Sequence, residues 1–390
     1  MLATVASFTS CNKGDEPEPE PTKPAFKVIK DRVIEISYDT FDLDENASFF
    51  NKYLPKDEGQ TLAYEASSKE DALMGGCSAI RVNIGGKWYV GRDYDFYCSM
   101  APAVIIRNNA GTYKTIGICN SPKSFDPWTS ASTYTIKDDV LASAPFLCCD
   151  VMNDQGLYAE TNIRPKEAAL VCSHTNVGKP RRCTQTFMMT MLSQYKSIDE
   201  IKQHLNDYDW FDLQEMGFEQ SFFITDQAGK SILIEFGANK VMYKEDTDCN
   251  ANFFQNEELY KIEKIGCGEK RLEHEKAYLK EHGVNSEDDL FAMMKTGAYD
   301  QFYHTDVDPD FAVPEFYEVI GYNKDSYAKD PEGARKACMK KVEEFSKYTW
   351  EERVANKSWE STFITAANVT DLTLHVHFSE HYGIDFTVGF

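Results

Sequence analysis

The sequence predicts an α+β fold, with strands paired in hairpins near both ends of the main body and helices between them. Three observations carry this reading. SAIRVNI and KWYVGRD flank Gly85-Gly86, a pair that permits the tight turn of a two-residue hairpin. SFFITD and KSILIEF meet across Gln227-Ala228-Gly229, and KVMYKED continues the same sheet. Charged stretches at 256–282, 286–296 and 331–347 have helical character, and three strands follow them to Phe390.

Between these landmarks AVIIRN, YKTIGIC and LYAETNI read as short strands, the last one after the turn Asn153-Asp154-Gln155-Gly156. Phe187, Met188, Met191, Leu192, Ile198, Ile201 and Leu205 recur at roughly helical spacing, which predicts two helices over 184–206 with a break near Lys196-Ser197. No internal repeat is present.

Ahead of the main body, residues 1–11 (MLATVASFTSC) are small and apolar and end in Cys11, like the end of a bacterial lipoprotein signal peptide without its basic n-region. Residues 12–25 form a Pro/Glu-rich tether too polar to pack. Residues 26–76 alternate polar and apolar patches and end in Met74-Gly75-Gly76, as a pre-segment distinct from a catalytic part at 77–390. The expectation is an exported lipoprotein, periplasmic or at the cell surface, held to a membrane only through Cys11.

With 390 residues, 42% hydrophobic and 27% charged, the composition is globular. A formal net charge of -22 would repel a phosphate backbone or an anionic bilayer, so nucleic acid is excluded and small-molecule or protein substrates are favoured. Eleven cysteines include no C-x-x-C pair, which argues against a zinc ribbon or thioredoxin site. Setting Cys11 and Cys77 aside leaves an odd number, so a monomer keeps at least one unpaired thiol, and disulfide pairing and oligomeric state stay open.

Cys77 stands at the start of a strand, after two glycines. A cut before it would place an α-amine on the residue that carries the thiol. Such an amine titrates near about 7.7 to 8.0, so at neutral pH it can take the thiol proton without a histidine. Gly75 and Gly76 suit the strained backbone and close approach that self-cleavage requires. The hairpin's second strand ends in Gly91-Arg92-Asp93-Tyr94-Asp95-Phe96 and can return Arg92 beside Cys77, where a fixed positive charge favours the thiolate.

CSAIRVN and YVGRDYDF, followed by SFFITDQAGKSILIEF and KVMYKEDTDCNANFF, resemble the linear amide C-N hydrolases. This family of N-terminal-nucleophile (Ntn) hydrolases includes choloylglycine hydrolases, penicillin V acylases, acid-ceramidase-like enzymes and an acyl-CoA:6-aminopenicillanic-acid acyltransferase group. The resemblance implies a four-layer αββα sandwich of mostly antiparallel sheets, hydrolysis of a small N-acyl amide, and no cofactor. It implies Cys77 as nucleophile, Arg92 beside its sulfur, and Asp95 as the carboxylate for the freed amine. Asn162 is similar to the oxyanion-hole asparagine, Asn252 to the second asparagine, and Arg271 to a distal arginine. Asp93 departs from the family, which often has Asn there. Some sixty residues separate Cys11 from Cys77, more like the self-processed ceramidase and acyltransferase branches than the bile-salt enzymes.

Three other readings compete. Acyl transfer differs only in which nucleophile reaches the acyl-enzyme. A surface-anchored binding protein would keep Cys77 as an inert thiol. His377-Phe378-Ser379-Glu380-His381, with His375 upstream, matches an H-x-x-E-H zinc motif, yet LTLHVHF alternates like a strand and the chain ends too soon to supply a third ligand. Sequons at Asn46, Asn356 and Asn368 matter only in a eukaryotic secretory route.

Overall fold

The computed structural model describes residues 25–38, 76–98, 100–109, 111–122, 144–164, 172, 174–211, 219–259, 268–298, 321–355, 359–379 and 383–390. Cys11, the tether up to residue 24, residues 39–75, Asn46, Asn356, Glu380 and His381 lie outside them.

Strands β1 (Ala25–Lys30), β2 (Val33–Tyr38), β3 (Cys77–Ile84), β4 (Lys87–Tyr97), β5 (Met100–Asn109), β6 (Thr115–Pro122), β7 (Cys148–Asn153) and β8 (Tyr158–Arg164) come first. β9 (Arg181–Cys183), helices α1 (Phe187–Leu192) and α2 (Ile198–His204), and β10 (Asp209–Phe211) follow. Next are β11 (Glu219–Thr225), β12 (Ser231–Phe236), β13 (Val241–Glu245), β14 (Cys249–Ala251), α3 (Gly268–His282) and α4 (Glu287–Lys295). Helices α5 (Lys324–Lys329), α6 (Pro331–Ser346) and α7 (Trp350–Ala355) precede β15 (Trp359–Asn368), β16 (Thr373–Phe378) and β17 (Asp385–Gly389).

Nine strands pair in the order β1-β2-β5-β6-β7-β8-β11-β12-β13, and six in the order β14-β3-β4-β15-β16-β17. Every neighbour pair in the two sheets is antiparallel except β2 with β5. A separate small ladder joins β9 and β10 in parallel.

The period-2 alternation of the strands builds three cores. In the seam between the sheets, Cys77, Ala79, Val90, Tyr94 and Phe363 meet Val104, Ile118, Met152, Phe223 and Leu233. On the outer face of the nine-stranded sheet, Phe222, Ile224, Ile232 and Ile234 pack on Phe187, Met191, Leu192, Ile198 and Ile201 from α1 and α2. On the outer face of the six-stranded sheet, Ile80, Val82 and Ile364 pack on Leu272, Leu290, Met293 and Met294 from α3 and α4. The molecule is therefore the α+β, four-layer αββα sandwich.

Local chemistry explains the boundaries that position the site. Gly85 and Gly86 have φ of 59° and 88°, so the β3–β4 turn takes the left-handed pair that suits the twist of a hairpin. The predicted helix break falls at Ser197, whose side chain accepts from the Glu200 N–H and caps α2. In β15 a bulge between Ser361 and Phe363 lets Ser361 stand opposite Asp95 while Phe363 stands opposite Tyr94.

The first strands of the segment 26–76 are built into the sheet of the main body. β1 and β2 belong to the nine-stranded sheet, β2 pairs with β5, and Val33, Ile34 and Ile36 are buried among residues of the main body. Its polar residues mark an edge position: all of β1 except Val28 is exposed.

Candidate active site

The site begins with the strand that carries Cys77. Its side chain points into the seam and is 2% exposed, and its backbone N–H donates to Oδ1 of Asn252 at 2.5 Å. Asn252 comes just after β14, the neighbour of β3, and its Nδ2 donates to the Ile163 carbonyl in β8 at 2.7 Å. One side chain thus joins the Cys77 strand to the opposite sheet. Gly76 extends the ladder by one residue, its carbonyl accepting from the Asp95 N–H at 2.9 Å. A Cβ on Gly76 would lie 2.3 Å from Nη2 of Arg271, so only glycine leaves room for that guanidinium.

On the seam side, Arg92 is fully buried and held by four groups from the facing sheet. Nε donates to Asp150 at 3.1 Å, Nη1 to Asn162 Oδ1 at 2.5 Å, Nη2 to the Thr161 carbonyl at 2.6 Å, and Nη1 lies 3.3 Å from Glu160 Oε2. Asp150 also accepts from Tyr158 and Thr365, and Glu160 from Asn250. Asn162 spends its oxygen on Arg92, and its Nδ2 is buried with no hydrogen-bond partner among the described residues. An amide donor left open in this way is poised to receive an oxyanion.

On the helix side of the same strands lie Asp93, Asp95, Arg271 and Glu275, all fully buried. Arg271 Nη1 is 3.3 Å from Asp95 Oδ2 and 3.9 Å from Asp93 Oδ2. Asp95 Oδ1 accepts from Ser361 Oγ at 2.8 Å, and Glu275 Oε1 accepts from Ser78 Oγ. Burial first, then the charge of Asp95, pushes the Asp93 carboxyl well above the usual range.

Burial also dominates the sulfur. It pushes the Cys77 thiol up to about 12, against the lowering effect of Arg92 and Arg271 and with Asp95 and Asp93 adding to the rise. In the uncut chain, which has a peptide nitrogen at position 77, the thiol is therefore protonated at neutral pH.

All six residues singled out by the sequence, Cys77, Arg92, Asp95, Asn162, Asn252 and Arg271, meet here from β3, β4, β8, the end of β14 and α3. One placement differs in detail. The nitrogen of Cys77 contacts Asn252, while Asp95 holds the Gly76 carbonyl through its backbone and Arg271 and Ser361 through its carboxylate. Sequence reasoning missed Asp150, Glu160 and Glu275. Alternation along YAETNIR would have placed Glu160 on the face of Asn162, and Glu275 follows Arg271 by one helical turn.

The zinc reading finds a different use for its residues. His375 and His377 lie on β16, as the alternation predicts, and His375 bonds Glu287 at 2.9 Å and Asp385 at 2.6 Å. Among the described residues no group of three or more His, Cys, Asp or Glu could hold a metal ion. Cys77, Cys148, Cys149 and Cys249 carry free, buried thiols. No helix among the described residues is long and apolar enough to cross a membrane.

Residues 77–253 match the family model of the linear amide C-N hydrolases, choloylglycine hydrolase family. No curated protein sequence matches the chain. Among solved structures, two variants of conjugated bile acid hydrolase from Clostridium perfringens superpose with TM-scores of 0.47 and 0.44 at 13% and 14% identity, each covering 80% of this chain and 92% of the other. Penicillin V acylase from Agrobacterium tumefaciens gives 0.44 at 10% identity, covering 78% of this chain and 83% of that one. The matched segment contains Cys77, Arg92, Asp95, Asn162 and Asn252, and over residues 77–253 the chain is similar to the linear amide C-N hydrolases, choloylglycine hydrolase family.

Proposed function

We propose that this Ntn-type hydrolase cuts its own chain between Gly76 and Cys77 and then cleaves the amide bond of a small N-acyl compound through an acyl-enzyme on Cys77. The observation that carries the reading is a buried cysteine whose backbone nitrogen is held by Asn252 and whose thiol feels the charges of Arg92 and Arg271, with an open amide donor on Asn162, the residue that Arg92 holds.

In the self-cut, Sγ attacks the Gly76 carbonyl carbon while the Asp95 N–H, already bonded to that oxygen, stabilises the charge that develops there. Transfer of the acyl group to sulfur breaks the Gly76–Cys77 C–N bond, the thiol proton passing to the freed nitrogen, and water then hydrolyses the thioester, which releases residues up to Gly76 as a carboxylate and restores the thiol. The new amine lies within reach of Asn252 and takes the thiol proton. In turnover the thiolate adds to the substrate carbonyl, Asn162 Nδ2 donates to the oxyanion, and the ammonium returns its proton to the leaving nitrogen. Water then hydrolyses the thioester.

Export and lipid attachment at Cys11 are part of the same proposal and rest on the sequence of residues 1–25 alone. Intact-mass measurement tests the central step. A break at Gly76-Cys77 in the wild type that is absent from Cys77→Ala is the expected result, and a wild-type chain that stays whole under all conditions overturns it.

A further inference from the structure

Behind the Cys77 strand, between the six-stranded sheet and α3, three carboxyls and one guanidinium are buried together. Asp93 and Asp95 come from β4, Glu275 and Arg271 from α3, and all four are fully buried. Arg271 faces Asp95 and Asp93. Glu275 forms no ion pair among the described residues, and its only hydrogen bond there is the one that Ser78 Oγ donates to Oε1. Its Oε2 is buried and meets no partner. Ser78 is the residue after the nucleophile, and alternation turns its hydroxyl toward α3 while the Cys77 thiol faces the seam. Gly297, at the end of α4, packs against this carboxyl so closely that a Cβ would lie 2.3 Å from Oε1.

An ionised carboxylate in this layer would be a second uncompensated negative charge beside Asp95, and an unpaired buried charge costs far more than a hydrogen-bonded neutral acid. We propose that Glu275 is a positioning residue of the Cys77 site and that it acts as a neutral carboxylic acid, fixing the strand through Ser78 and leaving Arg271 to Asp95 and Gly76. This rests on the assignment of Cys77 as nucleophile. The groups facing Glu275 are Asp93 and Asp95 from β4, Ser78 from β3, Cys249 from β14, and Arg271 and Lys276 from its own helix. Burial, the largest influence, raises its pKa to about 8 against the lowering effect of Ser78 and Arg271.

A raised carboxyl pKa gives stability that is complete below the unfolded value of 4.5 and is lost as pH rises toward the folded value of about 8. The first arm uses the full chain with Cys77→Ala, which cannot cut itself, with and without Glu275→Gln. The parent Tm should fall by about 5 °C or more between pH 4.5 and 8 relative to the Gln chain. Parallel curves would overturn the proposal.

The second arm follows the Gly76-Cys77 cut by intact mass between pH 6 and 9.5. The wild type should slow with a midpoint near 8, Glu275→Gln should lose that alkaline decline, and Glu275→Leu should be about tenfold slower or worse at every pH. A Gln chain as slow as the Leu chain, or a Leu chain as fast as the wild type, would also overturn it. A wild type uncut at every pH removes the proposed function instead, and the melting arm still decides the role of Glu275.

Discussion

Removing residues 1–38 should destabilise the protein by an amount comparable to its whole folding free energy. β2 supplies Val33, Ile34 and Ile36 to two cores at 1%, 3% and 0% exposure. At about 2 kcal/mol per buried aliphatic side chain the three contribute about 6 kcal/mol, an upper figure because unfolded chains already bury some surface. A typical domain has about 5 to 15 kcal/mol in total. Deletion would also strip β5 of its parallel neighbour and leave a row of unpaired backbone groups at an apolar edge. The assay is urea unfolding of the full chain, of chains starting at residue 39 or at Cys77, and of Ile36→Ala, the last expected to lose about 2 to 5 kcal/mol. If the chain starting at Cys77 unfolds at the same urea concentration as the full one, the cores have been misread. The same burial predicts that a cut before Cys77 leaves both pieces together in native buffer and separates them only in denaturant, which size exclusion reads directly.

Three further outcomes follow from the site. Asn162→Ala should lower kcat by about 10²- to 10³-fold with the fold retained, because an oxyanion donor is lost, and unchanged turnover on any amide the wild type cleaves would remove that role. Gly76→Ala forces a methyl group onto Arg271, so the self-cut measured by mass should slow by about tenfold or more; a normal rate would mean that the guanidinium moves aside freely. Uncut protein should resist iodoacetamide at Cys77 through neutral pH, since burial holds the thiol near 12, and its stability should fall as pH climbs from 9.0 toward that value because only the unfolded thiol ionises there. Rapid labelling of the uncut chain at pH 7 would contradict this.

The parts of the molecule written in local chemistry were legible before the structure. Gly85-Gly86 specified a hairpin, Ser197 a helix start, and the spacing from Cys77 to Arg92 a strand pair that returns that side chain to the face of Cys77. What escaped notice depends on distant partners. β7, CCDVMN, is buried on both faces and carries no alternation to separate it from its surroundings. FKVIK and RVIEISY looked like a detached leader because an edge hairpin is half polar, and nothing local announces that β5 will receive it. Glu275 sits in GEKRLEHEKAYLKEH, where most charges are solvated and a buried one has the same letters as its exposed neighbours.

The bulged strand opposite β4 has a consequence for timing. Ser361 and Thr365, which secure Asp95 and Asp150, lie more than 200 positions after the carboxylates they hold. Closing so long a loop is a late and slow event in folding, and on a ribosome these residues emerge more than 200 positions after the carboxylates. The proposed chemistry at the sulfur must therefore wait for β15. A chain that stops before β15 holds all six site side chains and still lacks the groups that secure Asp95 and Asp150, so the fold itself would act as the clock that keeps the proposed reaction from starting early.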